Sequence, residues 1–188
     1  MPWGRGPSGS VPARQNTAPL ITFEATYPAA MTTRLAITGH RGLSAEVEAE
    51  IDRMIRAAVA ASDGAVIGVS CLADGADAVF AQAVLDAGGV LVAVLPAARY
   101  REALPENHRP VHDRLLARAG KVVQLPFVTP DPHAYMEAGK RMIEESDSLL
   151  AVWDGRPGRG AGGTADVVAH ARSRGVPVTV LWPEGAVR

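Results

Sequence analysis

From Arg34 onward, short apolar runs alternate with longer stretches in which apolar residues recur every three or four positions. The runs are RLAIT (34–38), AVIGVS (65–70), VLVAVL (90–95), KVVQL (121–125), SLLAVW (148–153) and PVTVLW (177–182). Most lack the strict alternation of a half-exposed strand. Near-continuous apolar character is the mark of parallel strands covered on both faces. The stretches between them read as helices. In SAEVEAEIDRMIRAAVAAS, Val47, Ile51, Met54, Ile55 and Val59 fall on one stripe, Ser44 opens the helix and glutamates occupy its first turn. ADAVFAQAVLDAGG closes on a glycine pair that suits a C-cap. A polar, arginine-rich helix is expected over about 107–119, followed by AYMEAGKRMIEES and ADVVAHARSRG. This alternation predicts an α/β fold: a doubly wound, mainly parallel sheet of about six strands with helices on both faces, Rossmann-like in the broad sense.

Residues 1–32 break the pattern. They are dense in Pro, Gly, Ser and Thr, and their apolar run is interrupted by Glu24, unlike a secretory signal. The segment reads as a flexible tail, with Met31 a candidate start, and 33–188 as one domain. A chain of 188 residues suits one core and is short for two. Its net charge of −1 provides no global field for nucleic acid or an anionic membrane, and 5% aromatic content offers little for stacking bases. Neither nucleic acid nor membrane is therefore expected as a partner. The single cysteine, Cys71, rules out a disulfide framework and a multi-cysteine metal site and fits a cytoplasmic location. No metal and no cofactor are expected.

In an open parallel sheet, ligands bind beyond the carboxyl ends of the strands, where helix N-termini present free N–H groups. Four such ends are polar or rich in glycine. At the first, TGHR sets Gly39 where a ligand can lie over the strand tip, Arg41 where it can fork onto a phosphate, and His40 where it can stack, donate or exchange a proton. A capped loop with a solvated arginine is the plainer alternative. At the second, SCLADGAD offers Ser70 to a phosphate, Gly75 as a point of ligand approach and Asp77 to ribose hydroxyls. Alternatively, Asp74 and Asp77 simply cap the next helix. After the third, the residues from Arg99 to Arg114 form a basic face containing His108 and His112, best read as a solvated helix surface.

The fifth end, DGRPGRGAGGT, is the richest. Asp154 and Gly155 close the strand, and Asp154 suits ribose or base better than phosphate. Five glycines lie between positions 155 and 163. Residues 158–163 match G-x-G-x-x-G, but in the last βαβ unit rather than the first, and the Walker ending G-K-[ST] is absent. Gly160, Gly162 and Gly163 let N–H groups converge at a helix start, with Thr164 as cap or donor, and a phosphate fits such a nest. A plain turn capped by Thr164 is the alternative.

Taken together, ITGHRG, SCLADGADAVFAQA, SDSLLAVWDG and GAGGTADVVAHAR resemble the SLOG superfamily over about 34–183. That group includes the Lonely-Guy phosphoribohydrolases and the DNA-processing protein A fold. The resemblance implies a nucleotide or nucleotide-derived ligand, with GAGGT as its phosphate loop. It also suggests a homo-oligomer, a dimer or larger. Lonely-Guy enzymes carry P-G-G-x-G-T-x-x-E, and alignment on Gly163-Thr164 puts Val167 at the position of the glutamate. Asp166 is one residue earlier, about 100° around the helix. The primary expectation is therefore a nucleotide-binding protein of sensor or signalling type. The alternative is a phosphoribohydrolase that cleaves the base–ribose bond, with His40, Asp77, Asp154 and Asp166 as candidate catalytic groups.

Overall fold

A computed structural model describes residues 32–158 and 161–187. Residues 1–31 of the expected N-terminal tail, Met31 among them, and Gly160 lie outside them, whereas Thr32, the last residue of that expected tail, opens the first strand. Strands β1 (Thr32–Gly39), β2 (Ala65–Ser70), β3 (Val90–Leu95), β4 (Lys121–Gln124), β5 (Ser148–Val152) and β6 (Val178–Val180) form one sheet in the order β4-β3-β2-β1-β5-β6. Every pairing is parallel. On one face, Leu35, Ile37, Val66 and Leu150 meet α1 (Ala45–Ala60) and α2 (Ala76–Asp86), while Leu91 and Ala93 meet α2 and α4 (Arg109–Ala117). On the other, Ala36, Val92, Val94, Leu149 and Ala151 pack against α5 (Pro132–Glu144) and α6 (Thr164–Ser173). Successive residues of one strand thus enter opposite cores, as the pleat requires. A short turn of helix, α3 (Tyr100–Ala103), follows β3.

The two-sided cover holds for the inner strands only. At the edges β4 is largely exposed, with Val122 at 49%, and β6 is reduced to three residues with Val180 at 41%. The chain winds outward from β1 through β4 and then returns to β5 on the other flank of β1. The order therefore reverses between β1 and β5, and their carboxyl ends bound the crevice where such sheets bind ligands.

Helix starts follow local chemistry. Ser44 Oγ accepts the Val47 N–H at 3.3 Å, and Asp131 Oδ1 accepts that of Ala134 at 2.7 Å with Pro132 in the first turn. At α2 the expected aspartate cap is absent. Gly75 holds the N-cap with φ +80°, and a Cβ there would lie 2.8 Å from the His40 carbonyl oxygen. Asp74 instead pairs with Arg41.

The region around His108 and His112 also differs from a solvated surface. Both imidazoles are buried and converge on the carbonyl oxygen of Leu72, His108 Nε2 at 3.0 Å and His112 Nδ1 at 3.2 Å. A carbonyl only accepts, so both rings donate and their tautomers are fixed. Leu72 is fully buried and has φ +58°, a conformation that side-chain-bearing residues seldom adopt. The two histidines hold that peptide in place. His112→Phe preserves an aromatic ring but removes one of two donors to a carbonyl that His108 still satisfies, and is expected to cost about 0.5–1.5 kcal/mol. Urea titration checks this, and an unchanged midpoint would show that the contact carries no stability. Burial lowers the proton affinity of His112, partly offset by the bond to Leu72. Its contribution is complete above pH 6.5 and is lost as the pH falls below that value, because the unfolded chain takes the proton first.

Candidate functional site

A cavity of about 420 Å³ opens at the carboxyl ends of β1, β2 and β5, within the range of small-molecule sites. Gly39, His40 and Arg41 line it from β1, and Cys71, Ala73 and Asp77 from the β2 side. Tyr100 and Tyr135 come from α3 and α5. Trp153, Arg156, Gly162, Gly163 and Thr164 come from the connection between β5 and α6. This crevice is the one the strand order marks.

Asp77 organises the floor. Its Oδ2 accepts Ser70 Oγ–H at 3.2 Å and the Cys71 N–H at 3.0 Å, and the carboxylate also takes the Ala73 N–H. Ser70 Oγ accepts the Leu72 N–H at 3.0 Å in turn. The 70–75 turn is thus wound around one carboxylate on the cleft side and clamped by two histidines behind. Burial pushes the Asp77 carboxyl up from 3.8 to about 6, opposed by these hydrogen bonds and by the charge of Arg41. Ser70 is fully buried and committed to this network. The Cys71 thiol is pushed well up by burial and lies 3.6 Å from Met142 Sδ, which makes it a poor nucleophile.

Across the crevice, His40 Nε2 lies 3.0 Å from Asp154 Oδ1, with both side chains less than a tenth exposed. The Asp154 N–H points to the same ring nitrogen at 3.2 Å. Trp182, from the segment after β6, closes edge-on against the imidazole at 5.3 Å between centroids and donates its indole N–H to the Ala186 carbonyl. His40 faces the main cavity, while Asp154 lines a smaller pocket behind it with Arg156 and Trp182.

At the glycine loop, Gly162 has φ +78° and sits so close to the start of α5 that a Cβ would overlap the Pro132 carbonyl oxygen. Gly163 is the N-cap of α6, with extended backbone and no side-chain cap, and Thr164 is the first helical residue. The first-turn N–H groups of Thr164 and Ala165 have no carbonyl four residues back within the helix. Asp166 Oδ2 accepts the Gly162 N–H at 2.8 Å, so this carboxylate braces the loop. Val167, where the Lonely-Guy pattern has a glutamate, is 4% exposed, and a Cβ on Gly139 would come 2.6 Å from its Cγ2.

The structure therefore gathers Gly39, His40, Arg41, Asp77, Gly162, Gly163 and Thr164 around one cavity. Gly39 is needed for packing, since a Cβ there would meet Ala76 and Val152 at 2.5 and 2.7 Å. Gly75 faces the 40–41 backbone, and Gly155 has φ +77° in an open turn. Tyr100, Tyr135, Trp153 and Arg156 complete the wall without having been singled out in the sequence. Trp153 donates its indole N–H to the Arg156 carbonyl at 2.8 Å, and the Arg172 guanidinium lies 5.8 Å from its ring centre. Among the described residues, no group of three or more His, Cys, Asp or Glu is placed to hold a metal ion. None of the described helices is long and apolar enough to cross a membrane.

No protein-family model and no curated protein matches the sequence. The fold has clear counterparts among solved structures. DNA processing protein A from Streptococcus pneumoniae is 17% identical with a TM-score of 0.61, over 82% of this chain and 52% of that one. The chain thus spans about half the length of that protein. DNA processing protein A from Helicobacter pylori is also 17% identical, with a TM-score of 0.62 over 83% of this chain and 68% of that one. A structural-genomics target, TM1055, gives 17% identity and a TM-score of 0.51 over 78% and 72% of the two chains. The Rossmann-like fold of this group is therefore the fold of this chain.

The Helicobacter pylori protein binds single-stranded DNA. This overturns the expectation that nucleic acid is no partner for a chain of this kind. Net charge and aromatic content are averages over the whole sequence, whereas a strand is held by one local face.

Proposed function

We propose that the cleft binds a nucleotide or nucleotide-derived small molecule through its phosphate, as a sensor or signalling module. The observation that supports this most is the convergence on one 420 Å³ cavity of the α6 N-terminus with its glycines and, from the end of β1, Arg41. The dipole and first-turn N–H groups favour an anion there, and the arginine adds a forked donor. Tyr100, Tyr135 and Trp153 offer apolar faces to the base. Binding without turnover is favoured by Val167. A buried valine against Gly139 takes the place where the Lonely-Guy pattern has its glutamate.

A second reading, cleavage of the base–ribose bond, is favoured by the His40–Asp154 pair beside the cavity and by Asp77 at its floor. One experiment separates the two. The protein is incubated with nucleoside 5′-monophosphates, NAD and ADP-ribose, and mass spectrometry follows both ligand retained and free base released. Retention without base is the expected result. Base release would make the cleft hydrolytic, and neither retention nor release would sink the nucleotide reading for these ligands.

A further inference from the structure

One polar group of the cleft is left over once the hydrogen bonds of the chain are assigned. Tyr100 is 3% exposed and lines the main cavity. Its ring meets His112 edge-on at 5.7 Å between centroids and Tyr135 at 6.3 Å, and Leu95 and Leu104 complete its packing. Among the described residues, none forms a hydrogen bond with its hydroxyl. Buried side-chain polar atoms are nearly always paired, so a hydroxyl left open at a cavity points to a partner that arrives with the ligand. The groups that act on this hydroxyl include Cys71, Asp77 and Arg41, which line the same cavity. Burial, reinforced by Cys71 and Asp77 and opposed by Arg41, holds the phenol well above its usual range, so it stays a neutral donor.

Asp77 supplies the complementary half. A carboxylate accepts at about four lone-pair sites, and the chain occupies three of them, with the Ser70 hydroxyl and the N–H groups of Cys71 and Ala73. A donor and an acceptor within each other's field match a sugar hydroxyl, which is itself both. Position selects the sugar over the base. Tyr135 neighbours Tyr100 on one side and the glycine loop on the other, where a Cβ on Gly162 would lie 3.3 Å from that of Tyr135. Tyr100 is thus one side chain removed from the start of α6, and in a nucleotide the sugar follows the phosphate directly. We infer, resting on the nucleotide reading, that Tyr100 and Asp77 bind a ribose hydroxyl and that Tyr100 makes the cleft selective for ribonucleotides over deoxyribonucleotides.

Calorimetry at pH 8, where Asp77 is ionised, compares AMP with 2′-deoxy-AMP and 3′-deoxy-AMP on wild type and on Tyr100→Phe. On wild type, AMP is expected to bind about tenfold more tightly than at least one deoxy form, the effect of one hydrogen bond to a group otherwise left unpaired. Tyr100→Phe keeps the ring and its packing, and its melting temperature is expected to match that of wild type because the hydroxyl has no partner in the described chain. The variant should lose that factor for AMP and leave the discriminated deoxy form unchanged, so the gap closes. Equal binding of AMP and both deoxy forms to wild type overturns this inference and leaves the nucleotide reading standing. So does a gap that survives in the variant, or a variant that weakens all three ligands alike, as a contact to base or phosphate would. Failure of all three to bind wild type overturns both.

Discussion

Gly163→Asp is expected to weaken nucleotide binding by more than 100-fold while leaving the melting temperature unchanged or slightly raised. The backbone at this position has φ −88° and ψ −179°, extended geometry that any residue adopts. It is also the N-cap of α6, where aspartate is among the preferred residues and exceeds glycine by a few tenths of a kcal/mol. The new carboxylate accepts from the N–H of Ala165 or Asp166, the donors a phosphate would need. Fold and binding therefore separate in one substitution. The neighbouring Gly162 does not allow this, because its positive φ and its contact with the Pro132 carbonyl forbid a side chain. Thermal melting and calorimetry on the same sample give both readouts. Retained affinity in a folded Gly163→Asp protein would remove the phosphate from the α6 N-terminus.

The largest effect on stability is expected from the pH dependence tied to Asp77. Its folded carboxyl holds the proton up to about 6, against 3.8 for an unperturbed aspartate. Between these values the folded state binds more protons than the unfolded chain. The contribution is therefore full below pH 3.8 and is lost as the pH rises through 6. The difference corresponds to about 3 kcal/mol. Asp77→Asn removes this titration while keeping an acceptor for the Cys71 N–H. The stability of wild type minus that of the variant should fall by about that amount between pH 4 and pH 7, then stay level. His112 acts in the opposite direction, losing stability as the pH falls, but it is present in both proteins and cancels in the difference. Urea titrations at four pH values across this window measure it. A difference independent of pH would mean that Asp77 gives up its proton alike in the folded and unfolded chains, so that burial does not raise its carboxyl.

How far the sequence could be read depends on the range of the forces involved. β2 and β3 occupy the residues their apolar runs mark, 65–70 and 90–95, because inner strands bury both faces and show it in every residue. The outer runs were longer than the strands they became, since β4 and β6 have one neighbour each and give up their ends to solvent. The α1 stripe is equally direct: Ile51, Ile55 and Val59 are buried as their spacing requires. Other features are settled by contacts distant in the chain. His108 and His112 read as surface residues because nothing near them in sequence reveals a carbonyl 36 and 40 positions away. Gly39 lines the cavity, and the further reason for a glycine there, that a Cβ would meet Ala76 and Val152, comes from residues 37 and 113 positions away. Tyr100 and Tyr135 reach the cavity from helices whose own patterns give no sign of it. The strand-end rule found the cleft, and only the packing decides which side chains face it.

The turn at 71–75 belongs to no strand and leads from β2 into the N-terminus of α2, yet it is fixed from both sides. Asp77 gathers its N–H groups, and two imidazoles hold the Leu72 carbonyl. A surface built this way is preorganised: a ligand arriving on the β2 side spends little of its binding free energy ordering the protein. Selectivity at that wall is accordingly a matter of shape and charge already in place, and a poorly matched guest is rejected rather than accommodated.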